Sequence, residues 1–155
     1  MACEIFFYHL QMRPLEAVLP LLLEKCLEKG WRAYVQTGSQ ERAQVLDTHL
    51  WTFREDSFLA HGMAGMAHAD LQPILISCDG DLAHNGAAVR FFVDGARPED
   101  DLSLLEGLER AILMFDGGNE EALQSARGSW KTLKAAGFPV TYWQQTYSGG
   151  WEKKA

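Results

Sequence analysis

Short apolar segments alternate with amphipathic segments of helical periodicity along this chain, and this alternation restricts the possible folds more than any other feature. Runs rich in β-branched and aromatic residues, such as 3–8 (CEIFFY) and 73–77 (PILIS), are typical of buried strands. Strands that alternate with helices favour a parallel sheet, because each helical crossover returns the chain to the same end of the sheet. The sequence therefore predicts a three-layer, Rossmann-like α/β fold with a central, mostly parallel sheet and helices on both faces. The predicted strands are 3–8, 31–36, 73–77, 87–93 and 140–145.

Four segments carry the apolar spacing of amphipathic helices. In the first, 15–27, Pro14 and Gly30 suit the two ends, whereas Pro20 removes a backbone hydrogen bond and should kink or shorten the helix. The second, 39–50, begins at a Ser39 cap. The third is predicted to run from Pro98 to the glycine pair 117–118, and the fourth over 120–136 after an Asn119 cap. The inner face of the third helix would carry Leu102, Leu105, Leu108 and Ile112.

The remaining long segments are expected to be irregular. The stretch 52–71 has no regular pattern and is interpreted as a surface loop, and the polar tail 148–155 is expected to fray. Residues 1–147 then form one α/β domain, since 155 residues are enough for a single hydrophobic core.

Composition places the chain among globular proteins of the cytoplasm. Apolar residues make up 47% and charged residues 23% of it, and the longest apolar run, 18–23, is far shorter than a membrane span. The start of the chain lacks a secretory signal pattern, and three cysteines without a C-x-x-C pair favour neither disulfides nor zinc. The net charge of −7 opposes general contact with nucleic acid. Residues 122–155, however, carry five basic residues and one acidic residue, which favours a localised anionic partner.

The residues required for common enzymatic chemistry are missing. The turn after the first strand, 9–14, has no glycine and cannot wrap a pyrophosphate, and no G-x-x-x-x-G-K-S/T loop or G-x-S-x-G elbow occurs. The segment 79–81 (DGD) is explained by a strand-ending turn, and Cys78 has no histidine at short spacing. We therefore expect no catalytic residues, no cofactor and no metal. The histidines lack metal-ligand spacing and are expected to be exposed in loops: His61, His68 and His84.

The last predicted helix carries the clearest candidate for a binding surface. At 100° per residue, Lys131 and Lys134 lie within about 40° of Arg127. Trp130 lies about 60° from the arginine, toward the buried face marked by Leu133. Three cations beside a half-buried indole suit a ligand that joins a carboxylate to an apolar or aromatic group, since arginine pairs with carboxylates through two hydrogen bonds. The same spacing fits an ordinary solvated helix face, so the pattern alone leaves both interpretations open.

Two local motifs resemble those of a known family. The segments 50–54 (LWTFR) and 56–61 (DSFLAH), and later 126–138 (ARGSWKTLKAAGF), are similar to motifs of the chi subunit of bacterial DNA polymerase III. The strand–helix–strand opening and the approximate length also agree. The resemblance implies a non-catalytic accessory subunit of the clamp-loader assembly, which contributes to DNA polymerase activity only as a subunit. It also implies a place in the cytoplasmic, nucleoid-associated replisome, with DNA contacted only indirectly and no membrane involved.

The resemblance further implies a peptide ligand. In that family the subunit links the replicase to the single-stranded-DNA-binding protein by binding the acidic, Phe-terminated C-terminal tail of that protein. Arg127, Trp130 and Lys131 match the residues that bind the tail, and Lys134 also has a basic counterpart. Leu123 stands where the family has a further lysine, so the expected affinity is weaker while the expected ligand stays the same.

A second partner surface is implied by Trp51 and Phe58, which match positions where the family binds the psi subunit or, alternatively, a repair-type helicase. Both are also explained as core aromatic residues, although Phe58 lies in a polar loop and is the better candidate for a partner-facing anchor.

Two other functions stay open at this point. One is a nucleotide-dependent enzyme on the Rossmann-like sheet. The other is direct binding of single-stranded DNA through Trp130, Trp143 and the C-terminal lysines.

Overall fold

The computed structural model describes residues 3–52, 60–64, 69–78 and 85–155. Within these residues the chain forms an eight-stranded sheet with helices on both faces, which confirms the predicted three-layer α/β class. No helix in these ranges is long and apolar enough to cross a membrane. The helices are α1 (Leu15–Glu28), α2 (Gln40–Thr52) and α3 (Glu120–Ala135). The strands are β1 (Glu4–Leu10), β2 (Ala33–Gln36), β3 (Gly62–Met63), β4 (Ile74–Ser77), β5 (Val89–Phe92), β6 (Arg110–Asp116), β7 (Val140–Gln145) and β8 (Trp151–Lys153).

The strands follow the order β3-β4-β2-β5-β6-β1-β7-β8, and the pairs are parallel except for β7 with β8. Helices α1 and α2 pack on one face of the sheet, where Leu19 and Leu46 are buried, and α3 packs on the other face, where Leu133 is buried. Strands β1 and β6 are neighbours, but the helices that follow them lie on opposite faces. Their carboxyl ends therefore open into a crevice, the usual position of a ligand in open α/β sheets.

The segment after Pro98 differs most from the prediction. Instead of a helix that reaches Gly117, two short 3-10 helices, Pro98–Asp100 and Leu102–Leu105, precede the central strand β6. The leucines have helical spacing, but 111–115 is a continuous apolar run that is buried throughout. Such a run is typical of a central parallel strand, and periodicity cannot distinguish it from a buried helix. The prediction of a helix here is therefore wrong.

Helix α1 continues through Pro20, so the expectation that this proline shortens the helix is wrong. Pro20 has no N–H to bond with the carbonyl of Glu16, four residues earlier. That carbonyl instead accepts a hydrogen bond from Nε2 of His49 in α2, at 2.6 Å. A side chain from the neighbouring helix thus replaces the missing backbone bond. At the other end Gly30, with φ of +79°, follows the helix as predicted.

Strands β3 and β8 lie in segments for which the sequence predicts no regular structure. Strand β3, within the predicted loop 52–71, pairs with β4 through two residues. Strand β8 lies in the tail 148–155 and pairs antiparallel to β7, so the expectation that this tail frays is wrong. The ring of Trp151 packs edge-on against Tyr8, with centroids 4.8 Å apart. One large aromatic residue in a polar segment does not produce the period-two pattern of a strand. The strand nevertheless forms because of tertiary contact, which the local sequence does not reveal.

Candidate functional site

Helix α3 is positioned by clear sequence signals at both ends. The side chain of Asn119 accepts a hydrogen bond from the N–H of Ala122, at 3.0 Å, and so caps the first turn. Gly137, with φ of +93°, follows the last turn. Between them Ala126 and Leu133 are buried against the sheet. This orientation fixes which side chains of the helix reach solvent.

Trp130 lies at the border between the core and the surface. Its ring is partly buried and packs edge-on against Phe7 and Tyr142, with centroids 5.3 Å and 5.8 Å away. The ammonium group of Lys134 lies 5.8 Å from the centroid of the indole. Edge-to-face contacts of this kind hold a ring in one orientation. The sheet therefore presents the indole beside the helix cations as a fixed surface.

The three cations of α3 are exposed and close to one another. Arg127, Lys131 and Lys134 all point away from the buried face of the helix. Within the described ranges, none of them forms an ion pair or a side-chain hydrogen bond. We call Arg127, Trp130, Lys131 and Lys134 the cationic stripe. Its charges are available to an anion from outside the protein.

His9, near the end of β1, and Tyr142, in the middle of β7, lie beside the cationic stripe, and the sequence prediction missed both. Nδ1 of His9 and the hydroxyl of Tyr142 are 2.7 Å apart. Burial lowers the pKa of His9, and the nearby positive charge of Arg127 lowers it further, while Asp116 acts in the opposite direction. Burial raises the pKa of Tyr142, opposed by Arg127. Both groups are therefore neutral hydrogen-bonding partners beside the arginine at pH 7.

Gly117 makes room for the His9 ring. A Cβ atom at this position would lie 1.8 Å from Nε2 of His9, so any other residue would displace the imidazole. Gly117 directly follows β6, and His9 lies near the end of β1, the parallel neighbour of β6. The carboxyl ends of adjacent parallel strands meet at one edge of the sheet. This rule could have placed His9 next to the glycine pair 117–118, had the segment before that pair been predicted as a strand rather than a helix.

The turn between β1 and α1 does not hold a phosphate. The backbone N–H groups of Gln11, Met12 and Arg13 all donate to Oε1 of Gln145, at 3.1, 2.9 and 3.0 Å. In a nucleotide-binding Rossmann fold the corresponding N–H groups would face the pyrophosphate. Here a buried glutamine amide occupies them, which agrees with the missing glycines.

A crevice of about 740 Å³ opens beside this turn, between α1 and α3. The side chains of Leu10 and Met114 contribute to its apolar floor. Arg42 crosses its rim and contacts Oε1 of Glu16 at 2.6 Å and Oδ2 of Asp94 at 3.1 Å, although the second contact is an ion pair without hydrogen-bond alignment. Both of these carboxylates therefore already have a cationic partner at the rim of the crevice.

The predicted second surface is only partly within the described ranges. Trp51, at the end of α2, is 53% exposed, so it does not plug the core. Its ring lies 4.5 Å from the His61 ring, centroid to centroid. His61 is itself buried, with Nε2 3.0 Å from the carbonyl of Asp47, so the expectation that His61 is exposed is wrong. Phe58 lies outside the described residues, as do Asp79, Asp81, His68 and His84.

No group of metal-ligating side chains occurs among the residues that the structure describes. The Sγ atom of Cys78, the cysteine considered above, donates to Oε1 of Gln40 at 3.3 Å. The features with an evident ligand chemistry are the cationic stripe and its polar neighbours. They define an α/β protein that carries three exposed cations beside a partly buried indole on one helix.

The sequence model of one known family, described as the DNA polymerase III chi subunit, HolC, matches residues 2–141 of this chain. The match covers most of the 155 residues, and the chain therefore belongs to the chi-subunit family. Members of this family are non-catalytic accessory subunits, and membership implies association with components of the DNA polymerase III replisome. No curated protein is similar enough to add a second comparison.

Proposed function

We propose that this protein links the clamp-loader assembly of a DNA replicase to the single-stranded-DNA-binding protein. It binds the acidic, Phe-terminated C-terminal tail of that protein through the cationic stripe. The observation that carries this proposal is the combination of three exposed, unpaired cations with an indole held beside them by Phe7 and Tyr142. Arg127 pairs with the terminal carboxylate, the lysines attract the acidic residues, and the terminal ring packs near Trp130.

The position of Arg127 supports its central role. Its positive charge acts on the pKa of two neighbouring groups: it adds to the lowering at His9 and opposes the rise that burial causes at Tyr142. We expect His9 and Tyr142, which are themselves 2.7 Å apart, to lie beside a carboxylate that is bound to Arg127. A hydrogen bond to a charged group contributes about 1.5–3 kcal/mol, so Arg127 accounts for a large part of a micromolar affinity. Leu123 supplies no charge in place of the family's lysine.

A second partner surface is proposed around Trp51, for a psi subunit or a repair-type helicase. The specific support is the exposure of this ring, which rests on buried His61 and so is oriented by the core. Large exposed aromatic residues of this kind are typical anchors of protein interfaces. Phe58 is kept in this proposal as the second anchor.

The test of tail binding is fluorescence anisotropy with a labelled peptide that ends in Asp-Asp-Asp-Ile-Pro-Phe. We expect binding in the micromolar range that weakens as salt is added, because exposed charges are screened. Arg127→Ala is expected to weaken binding about 10- to 100-fold. Arg97→Ala is the matched control, since Arg97 is an exposed arginine whose partner is Asp100, at 3.0 Å.

The outcome that contradicts the proposal is equally specific. Equal affinity for the peptide and for a version without its terminal phenylalanine would show that the aromatic end is not recognised. Equal losses in Arg127→Ala and Arg97→Ala would show attraction by general charge only. Either result removes the cationic stripe as the tail site.

A further inference from the structure

A row of aromatic and cationic side chains crosses the sheet face opposite α3. Strand β1 contributes Phe6 and Tyr8, whose side chains alternate with those that face α3. The row continues at one end to the C-terminal side of α1 and at the other end to β8. We call the following six residues the aromatic row: Lys29, Trp31, Arg110, Phe6, Tyr8 and Trp151.

Neighbouring members of the aromatic row are in contact throughout. The ammonium of Lys29 lies 4.8 Å from the centroid of Trp31. The Arg110 guanidinium lies 5.3 Å from the Trp31 ring and 4.4 Å from the Phe6 ring. The rings of Phe6 and Tyr8 are edge-to-face with centroids 6.4 Å apart, and those of Tyr8 and Trp151 are edge-to-face with centroids 4.8 Å apart. The contacts therefore form one continuous path, in which cations and rings alternate from Lys29 to Phe6 and three rings follow one another from Phe6 to Trp151.

Two further side chains extend this surface along β7 and β8. Trp143 is the register partner of Tyr8 and of Lys153, which places all three on the same face of the sheet. The indole N–H of Trp143 is buried and has no hydrogen-bond partner within the described residues. Lys153 is exposed at the free edge of the sheet. The surface thus carries an additional ring and an additional cation.

The described helices leave this part of the sheet partly open. Helix α1 packs against β2 and β6 on this face, and α3 packs on the opposite face. Phe6, Tyr8, Trp31, Trp143 and Trp151 are all partly exposed. Phe6, Tyr8, Trp31 and Trp151 pack on one side against the buried cluster that includes residues of α1, and each keeps part of its area exposed.

We propose that the aromatic row, with Trp143 and Lys153, binds single-stranded nucleic acid. Bases stack on aromatic side chains whatever their sequence, and cations beside the rings pair with the phosphates. Lys29, Arg110 and Lys153 supply three such charges. Glu4 is the register partner of Arg110, and Glu152 precedes Lys153 in β8. A peptide partner would have less use for a row of rings with cations among them.

This surface differs from the one that the sequence suggested for nucleic acid. Trp130 packs on the α3 face, against Phe7, whereas Trp143 shares the opposite face with Tyr8. The two tryptophans therefore do not form one platform. The proposed nucleic-acid surface and the cationic stripe are separated by the sheet, so both ligands can be bound at once.

The test is fluorescence anisotropy of the full chain with a labelled dT20 oligonucleotide at low salt. We expect micromolar binding, and the logarithm of the affinity should fall with the logarithm of the salt concentration with a slope of roughly −2, for three phosphate contacts. Lys153→Glu is expected to weaken binding at least about fivefold. Trp151→Ala is expected to weaken it about tenfold through lost stacking.

The controls separate this proposal from general charge effects and from tail binding. Arg97→Glu makes the same charge change at an exposed position away from the aromatic row and should leave the affinity within about twofold. Unlabelled tail peptide should not displace dT20. Because Trp151→Ala also removes a packing contact, a melting curve of each variant is recorded with the binding measurement. Lys153→Glu changes an exposed side chain, so it tests the proposal even if Trp151→Ala does not fold.

Three results would overturn the proposal. The first is no binding of dT20 by the unmodified protein at low salt. The second is an equal loss of affinity in Lys153→Glu and Arg97→Glu. The third is indole fluorescence at the aromatic row that changes when the single-stranded-DNA-binding protein is added but does not change when dT20 is added. That result would identify the aromatic row as a protein-docking surface.

Discussion

The two faces of strands β1 and β7 contain the same kinds of side chain in different arrangements. On the α3 face, Trp130 rests on Phe7 and Tyr142, and the arginine and lysines of the helix stand beside it with their charges unpaired. On the opposite face, the guanidinium of Arg110 lies between two aromatic rings, in contact with both. One face gathers three cations around a single tryptophan, and the other places its cations among several rings in a row.

The difference indicates what each face is suited to bind. Clustered cations concentrate positive charge at one place, which suits a compact anionic group attached to a single aromatic side chain. A row of several rings with cations among them suits an extended chain that carries planar groups and charges along its length. The same residue types therefore predict a peptide terminus on one face and a polynucleotide on the other.

The largest expected effect concerns the stability of the two faces. Phe7 is fully buried beneath Trp130, whereas its neighbour Phe6 is partly exposed beneath Arg110. Phe7→Ala should lower the free energy of unfolding by about 3–5 kcal/mol, through lost burial and a cavity. Phe6→Ala should lower it by about 1–2 kcal/mol, because less apolar area is lost. Urea unfolding measures both, and equal losses would contradict the proposed difference in burial.

A smaller effect is expected at the glycine beneath His9. Gly117→Ala should lower the free energy of unfolding by about 1–3 kcal/mol, because the new methyl group overlaps the imidazole and something must move. The double variant Gly117→Ala with His9→Ala removes the obstructing ring. In thermal or urea unfolding, the double variant should lose less free energy of unfolding than the sum of the losses in the two single variants. Strict additivity would mean that the His9 ring does not lie against Gly117.

The smallest effect is a dependence of stability on pH. Tyr142, Arg127 and Asp116 surround His9, whose pKa is lowered from its ordinary value of 6.5, mainly by burial. As the pH falls through 6.5, the unfolded chain takes up a proton more readily than the folded protein, so the free energy of unfolding decreases. The decrease should be smaller in His9→Gln, measured by urea unfolding between about pH 7.5 and 5.5. Identical pH profiles for the two proteins would contradict the assigned environment of His9.

The fold class was predictable because the helix and strand signals agree over most of the chain. Asn119, Gly137 and the apolar spacing between them define α3 without any tertiary information. Strand β6 was not predictable, because 111–115 is buried on both sides and loses the alternation that distinguishes strands. Strand β8 depends on pairing with β7 and on the contact between Trp151 and Tyr8, which no local pattern reveals.

The candidate site was predictable to the extent that it lies on one helix. The angular positions of Arg127, Lys131 and Trp130 follow from helical periodicity alone. His9 and Tyr142 lie on two different strands and Gly117 directly follows a third, so only the sheet order brings them together. The aromatic row has the same origin, since its members are distributed between residues 6 and 151 of the sequence.

The indole N–H resonances of the tryptophans, assigned by single substitutions and observed by NMR during titration with the tail peptide, test the central claim most directly. The claim is that the α3 face alone receives the peptide. We predict that the Trp130 resonance shifts progressively, while those of Trp143 and Trp151 on the opposite face stay in place. A shift of Trp151 or Trp143 without a shift of Trp130 would contradict the assignment of the cationic stripe as the tail site.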